Sequence, residues 1–146
     1  MQSNNRKFVF TKDMPGEEVK IIFDKANVII FKDFDEDEFA IYLKTRIYHL
    51  EHIFWQNVKV KKLIVRKEFI DAFHFYYKYI LLPLTELLRI KYAPRKQLFL
   101  KYISKDLPKD IYITLESLYK ISSFEEMLTK IEIANKLFSE TINELK

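Results

Sequence analysis

The chain has 146 residues, the size of one ordinary domain, and its formal net charge at pH 7 is +4. Hydrophobic residues make up 49% of it and aromatic residues 16%, which is enough to form a core and excludes an intrinsically disordered chain. Cysteine is absent, which excludes disulfides, thiolate zinc sites and cysteine nucleophiles, and we expect a cytoplasmic protein.

Gly16 is the only glycine of the chain. Phosphate-binding loops and strained nucleophile elbows each need several glycines, so the sequence predicts neither motif and offers no catalytic residue of those classes. No run approaches the roughly 18 apolar residues of a membrane span, so we expect no membrane insertion. The polar start, Met1–Lys7, lacks the apolar segment of a secretory signal.

Residues 1–32 are predicted to form a β-rich appendage. Lys7–Thr11 is a short β-prone run that a Met14-Pro15-Gly16 turn closes. Val19–Phe23 and Asn27–Phe31 are β-branched runs three residues apart, and this spacing indicates a hairpin. Because such short strands are unstable alone, they must pack on the helices or belong to a larger sheet.

Residues 33–146 are predicted to form a bundle of about five helices, so the fold class is mainly α. Acidic residues at Asp33–Glu38 favour a helix start, and helix one extends from Glu36 to about Asn57. Helix two begins near Arg66, is kinked at Pro83 and ends at Tyr92-Ala93-Pro94. A short helix is predicted over Arg95–Tyr102, and a break follows over Ser104–Pro108. Another helix is predicted over Lys109–Ile121. The last helix begins with a capping box formed by Ser123 and Glu126.

Helices one and two each carry a second row of apolar residues away from the main stripe. A helix that is apolar on two sides is either central in the core or covered by another chain. Helix two alone could be central, but two central helices do not fit easily in this domain, so we expect an interface and a homodimer. The predicted interface residues are Ile41, Tyr48, Trp55, Phe75, Tyr79 and Leu82.

The candidate chemistry is sparse. His49 and His52 stand three residues apart on helix one, but no third ligand follows, so no metal site is predicted. The spacing between arginines and histidines resembles that of helical ribonucleases only loosely, and such an enzyme stays an alternative. The acidic run Asp33–Glu38 is explained by the helix start. Because RNP, zinc-finger and helix-turn-helix motifs are absent, nucleic-acid binding is not supported.

A family resemblance begins in helix two. The segment Phe75–Lys96, with its Tyr92-Ala93-Pro94-Arg95-Lys96 corner, and the later Leu107-Pro108 break resemble the C-terminal helical half of polymerase-β-like nucleotidyltransferases, including aminoglycoside adenylyltransferases. The resemblance covers about Glu36 to Leu145. It implies that the helices close over a nucleotide and an acceptor substrate, and that Lys96, with Arg95, contacts the triphosphate.

The chain departs from that family in its catalytic half. It has no Gly-Ser turn and no aspartate pair on a preceding strand, and Asp24 is the only candidate for a third carboxylate. Without such carboxylates two Mg²⁺ ions cannot be held at the reacting phosphate. We therefore expect a non-catalytic helical module without cofactor, which pairs with itself or with a nucleotidyltransferase chain. A plain helical interaction protein is the other alternative.

Overall fold

The computed structural model describes residues 7–12, 20–25, 27–99 and 101–146. Of the described residues 72% are helical, and a short pair of strands lies near the N-terminus, which confirms the predicted mainly-α class with a small strand appendage. It divides into two compact units, Met1–Ile41 and Tyr42–Lys146, with the boundary inside the first helix. No helix in the described part of the chain is long and apolar enough to cross a membrane.

The strands of the first unit form a parallel pair. Strand β1, Phe8–Thr11, pairs with β2, Ile29–Lys32, with Phe8 opposite Ile29 and Thr11 opposite Lys32. The predicted hairpin is therefore wrong: residues 20–23 are not in a strand, and Val19 and the Met14-Pro15-Gly16 turn lie outside the described residues.

Asp24 shapes the turn that leads into β2. The Asp24 carboxylate accepts hydrogen bonds from the backbone N–H groups of Val28 and Ile29, at 3.1 and 3.2 Å. Asp24 thus organises the entry into β2, and the β2 edge is left to pair with β1. A parallel pair needs a connection of a dozen or more residues, which the segment between the two strands supplies.

Helix α1, Glu36–Phe54, begins at acidic residues as expected. Asp35 Oδ1 accepts the N–H of Glu38 at 2.9 Å, which satisfies one of the unpaired groups of the first turn. Lys12 forms an ion pair with Asp33 at 2.8 Å, and its hydrogen bond lowers the pKa of that carboxyl. Two carboxylates of the acidic run, those of Asp35 and Asp33, therefore take part in the helix start and in this ion pair.

The helical segment continues beyond the predicted end of helix one near Asn57. After α1 comes a 3₁₀ turn, Trp55–Asn57, and then a separate helix α2, Val58–Val65, which lies between the two predicted helices. The chain reverses at Lys67, which has a φ of 60°.

Helix two is interrupted near Pro83. Helix α3, Phe69–Tyr76, passes through a π-helical segment, Tyr77–Leu81, into helix α4, Leu82–Tyr92. The N–H of Leu82 bonds to the carbonyl of Tyr77, five residues earlier. Because proline has no N–H to donate, a widened turn just before it accommodates the missing bond.

The predicted helix over Arg95–Tyr102 is wrong. Only a 3₁₀ turn, Pro94–Lys96, forms in the described part of that segment, and Leu100 lies outside it. A short helix α5, Ile103–Asp106, occurs instead where a break was expected, after Tyr102 with a φ of 62°. The reason is that the Arg89 guanidinium, described below, donates hydrogen bonds to backbone carbonyls that a helix would use as acceptors.

The last helices agree with the sequence. Helix α6 is Lys109–Tyr119 and helix α7 is Phe124–Leu145. The hydroxyl of Ser123 accepts the N–H of Glu126 at 3.1 Å, as predicted, while the Glu126 carboxylate accepts from Ser122 rather than from Ser123. The core of the second unit includes the stacked rings of Phe54 and Phe138, with centroids 3.7 Å apart.

Candidate functional site

A cavity of about 530 Å³ lies within the second unit, beside α1, the π-helical segment, α4 and the loop after the 3₁₀ turn. We call it the Arg46 cleft. Most of the exposed surface of its wall is apolar, although charged and amide side chains also line it. The cleft is lined by Arg46, Leu50, Ile53, Gln56, Lys78, Tyr79, Leu82, Pro83, Thr85, Glu86, Gln97, Leu98 and Phe99.

The main polar feature of the cleft is a two-point ion pair between α1 and α4. Arg46 donates from Nε to Glu86 Oε1 at 2.5 Å and from Nη2 to Oε2 at 2.8 Å. The side chains are 32% and 14% exposed, and the hydrogen bond that Arg46 donates to Glu86 raises the pKa of Arg46. A half-buried, two-point pair of this kind holds a fixed orientation, so it presents a defined polar wall to a ligand.

One wall of the cleft is the loop that contains Gln97, Leu98 and Phe99, and the buried side chain of Arg89 binds the backbone of this segment. Its Nη1 donates to the carbonyls of Lys96 and Phe99, and its Nη2 donates to that of Lys101 at 2.6 Å. Asp106 Oδ2 lies 3.3 Å from the same Nη2. Burial lowers the pKa of Arg89, and the charge of Asp106 opposes this effect.

The two predicted phosphate-binding residues lie on the 3₁₀ turn, outside the cleft lining. Lys96 Nζ forms an ion pair with Asp106 Oδ1 at 2.9 Å, so its charge serves the structure of this corner. Arg95 is half-buried and also has an interaction within the chain. A phosphate at Lys96 would have to compete with a carboxylate that is only 4% exposed.

The second apolar row of helix two is divided between core and cleft. Tyr79 is only 9% exposed and Phe75 packs against the core, with their ring centroids 5.3 Å apart. Leu82 is 39% exposed, and together with Tyr79 it lines the Arg46 cleft. For helix two the structure therefore agrees with the alternative in which the helix is central in the core, rather than covered by another chain on its second apolar side.

The second apolar row of helix one is exposed. Ile41, Tyr48 and Trp55 are 67%, 58% and 51% exposed. Tyr48 contacts His52 edge to face with ring centroids 4.3 Å apart. These exposures leave the predicted interface residues of helix one accessible to a partner.

The histidines do not form a metal or acid–base centre with other groups. His49, His52 and His74 are all exposed, and Arg46, the arginine nearest His49 in sequence, is bound to Glu86. No three histidine, aspartate, glutamate or cysteine side chains of the described residues lie close enough together to hold a metal ion.

The sequence did not point to most of the cleft. Arg46 and Glu86 are 40 positions apart, and no local pattern links them. Phe99 and Gln97 come from a loop that was predicted to be helical. No protein-family model, curated protein or solved structure matches the chain.

Proposed function

We propose that Tyr42–Lys146 is a non-catalytic binding module that resembles the nucleotide- and substrate-binding half of a nucleotidyltransferase, with its ligand in the Arg46 cleft. The observation that carries the proposal is a largely apolar cavity of about 530 Å³ with an oriented ion pair in its wall. Cavities of roughly 300–1,000 Å³ with few, well-placed polar groups are typical of small-molecule sites.

The proposed ligand is a nucleoside triphosphate. Its base and sugar would pack against apolar residues of the cleft such as Leu82 and Phe99, and its phosphates would meet the exposed ammonium of Lys78. This assignment replaces Lys96, whose ammonium is bound to Asp106. Any chemistry on the nucleotide would require carboxylates from a catalytic partner, because two-metal catalysis needs them at the reacting phosphate.

The test is a calorimetric titration of the full chain with ATP and with adenosine. We expect ATP to bind at least about tenfold more tightly than adenosine, because only ATP engages the cation. Phe99→Ala should weaken both ligands, whereas Lys78→Gln should weaken ATP alone. Lys61→Gln removes an exposed lysine outside the cleft and is the matched control. Absence of ATP binding, or binding that Phe99→Ala leaves unchanged, would reject the proposal.

We also propose that the module forms a homodimer through helix one, by means of an exposed face defined by Lys44, Tyr48, Glu51, His52 and Trp55. Tyrosine and tryptophan are enriched where protein surfaces associate. Lys44 and Glu51 lie on opposite sides of Tyr48 in the sequence, so an antiparallel twofold pairing centred on Tyr48 brings each lysine near the partner's glutamate. There it would share the carboxylate with Lys146, whose Nζ lies 3.0 Å from Glu51 Oε2 of the same chain. This charge complementarity favours a second copy of the chain as the partner.

A further inference from the structure

A second cavity of about 410 Å³ lies on another side of α4, in contact with α5 and α6. We call it the tyrosine pocket. Its lining includes four aromatic rings and two polar side chains: Tyr77, Phe99, Tyr112, Tyr119, Thr85 and Glu116. The rings of Tyr77 and Tyr119 have centroids 6.4 Å apart and planes at 74°, so they form two nearly perpendicular walls.

The polar groups of the tyrosine pocket are already paired with one another. The hydroxyls of Tyr119 and Thr85 are hydrogen-bonded at 3.0 Å. The Glu116 carboxylate accepts from Lys120 Nζ at 2.5 Å, and this bond lowers the pKa of the carboxyl, which keeps it ionised at neutral pH. A ligand that needed several hydrogen bonds would therefore have to break existing ones.

The remaining surface favours a poorly hydrated cation. The face of an aromatic ring attracts a cation within about 6 Å of its centroid, and the separation of Tyr77 and Tyr119 allows one cation to reach both rings. Metal ions and primary amines hold their water strongly and would find few free acceptors. A quaternary ammonium group needs no hydrogen bonds, and its methyl groups fit apolar walls such as Leu82 and Leu115.

We propose that the tyrosine pocket binds a small quaternary ammonium compound. The cation lies in the corner formed by the edge-to-face rings of Tyr77 and Tyr119, and Glu116 supplies the nearby negative charge. The side chains of Lys120 and Glu116 are 70% and 42% exposed, and ion pairs in such positions are weak, so an organic cation can compete with the lysine for the carboxylate. The tyrosine pocket shares Leu82, Thr85 and Phe99 with the Arg46 cleft. The groups that would contact the cation, Tyr77, Tyr119 and Glu116, line the tyrosine pocket and not the cleft.

The decisive comparison uses choline and its neutral isostere 3,3-dimethylbutan-1-ol, which has the same shape without the charge. In titrations of the full chain followed by NMR, we expect choline to bind at least about tenfold more tightly than the alcohol. Equal binding of the two compounds, or no binding of choline, would overturn the proposal. Sedimentation with phosphatidylcholine vesicles distinguishes a lipid headgroup from free choline as the source of the same chemistry.

Variants locate the site. Tyr77→Leu should weaken choline binding about tenfold, whereas Tyr77→Phe keeps the ring and should bind as the parent does. Glu116→Gln should weaken binding and Lys120→Gln should strengthen it. Tyr102→Leu, at an exposed tyrosine outside the pocket, is the matched control. Choline binding that survives both Tyr77→Leu and Glu116→Gln would place the cation elsewhere and reject the site.

Discussion

Arg89 is a charged residue that acts as a structural centre. Its side chain is 1% exposed, and its guanidinium is bound by three backbone carbonyls and by the carboxylate of Asp106. A buried charge is tolerated only when it is paired and hydrogen-bonded in this way. Because the three carbonyls belong to the segment that forms a wall of the Arg46 cleft, Arg89 determines the position of Phe99.

We predict that Arg89→Met destabilises the chain by roughly 3–5 kcal/mol, because it removes the donor of several backbone carbonyls and leaves the buried Asp106 carboxylate with Lys96 as its one remaining ion-pair partner among the described residues. Asp106→Asn should cost less, since the carbonyl bonds of Arg89 remain in place. The measurement is the free energy of unfolding in urea. Lys105→Met replaces an exposed cation next to Asp106 and should change little. A cost for Arg89→Met similar to that of this control would contradict the assigned role.

At the scale of the element, α7 shows how a helix start depends on pH. The Glu126 carboxylate accepts hydrogen bonds from the backbone N–H and the hydroxyl of Ser122, at 2.8 and 2.9 Å. These bonds, the backbone one first, and the charge of Lys130 lower the pKa of Glu126. A carboxyl whose pKa is lower in the folded state stabilises the fold above its unfolded pKa and loses that contribution as the pH falls through its folded pKa.

We therefore predict that Glu126→Gln flattens the decrease in stability in the acidic range, with little further change between pH 7 and 8. The measurement is a series of urea unfolding curves from neutral to acidic pH. Glu125→Gln removes the same charge from the neighbouring position, where the carboxylate makes no hydrogen bond within the described part of the chain. An identical pH profile for the two variants would show that the hydrogen bonds of Glu126 do not matter.

Elements fixed by local pattern could be predicted, and elements fixed by distant contacts could not. The Ser123 cap and the start of α6 follow from neighbouring residues, and the sequence analysis located them, although α6 ends at Tyr119 rather than at the predicted Ile121. The segment after Pro94 fails as a helix because a residue of α4, Arg89, binds its carbonyls. The hairpin failed for the same reason: β2 pairs with a strand about twenty residues away.

The same distinction applies to the candidate sites. The sequence indicated the exposed apolar row of helix one, because periodicity alone reveals a helix face. It assigned Lys96, with Arg95, to a triphosphate, although the structure pairs Lys96 with Asp106, and it did not single out Arg89, which the structure buries. Whether a charged side chain is buried depends on the residues that surround it in three dimensions, so the neighbouring residues in the sequence do not predict it.

At the scale of the whole molecule, the remaining question is what covers the exposed face of helix one. Tyr48 is 58% exposed, and within the described part of the chain its ring contacts the neighbouring rings of His49 and His52. Trp55 is half exposed, although its ring approaches Phe54 and Phe138 of the core. Tyr48 is therefore the better position for testing association, because it can be changed with less effect on the core.

We predict that Tyr48→Asp raises the dimer dissociation constant at least about thirtyfold, because a central aromatic contact is lost on both copies. Sedimentation velocity over a range of concentrations measures this change, and Ile70→Asp, at a residue 84% exposed on α3, is the matched control. Lys44→Glu should also weaken the dimer, and adding Glu51→Lys should restore it, since antiparallel pairing then regains opposite charges. A parent chain that stays monomeric at high concentration, or a double variant weaker than Lys44→Glu alone, would reject the twofold pairing.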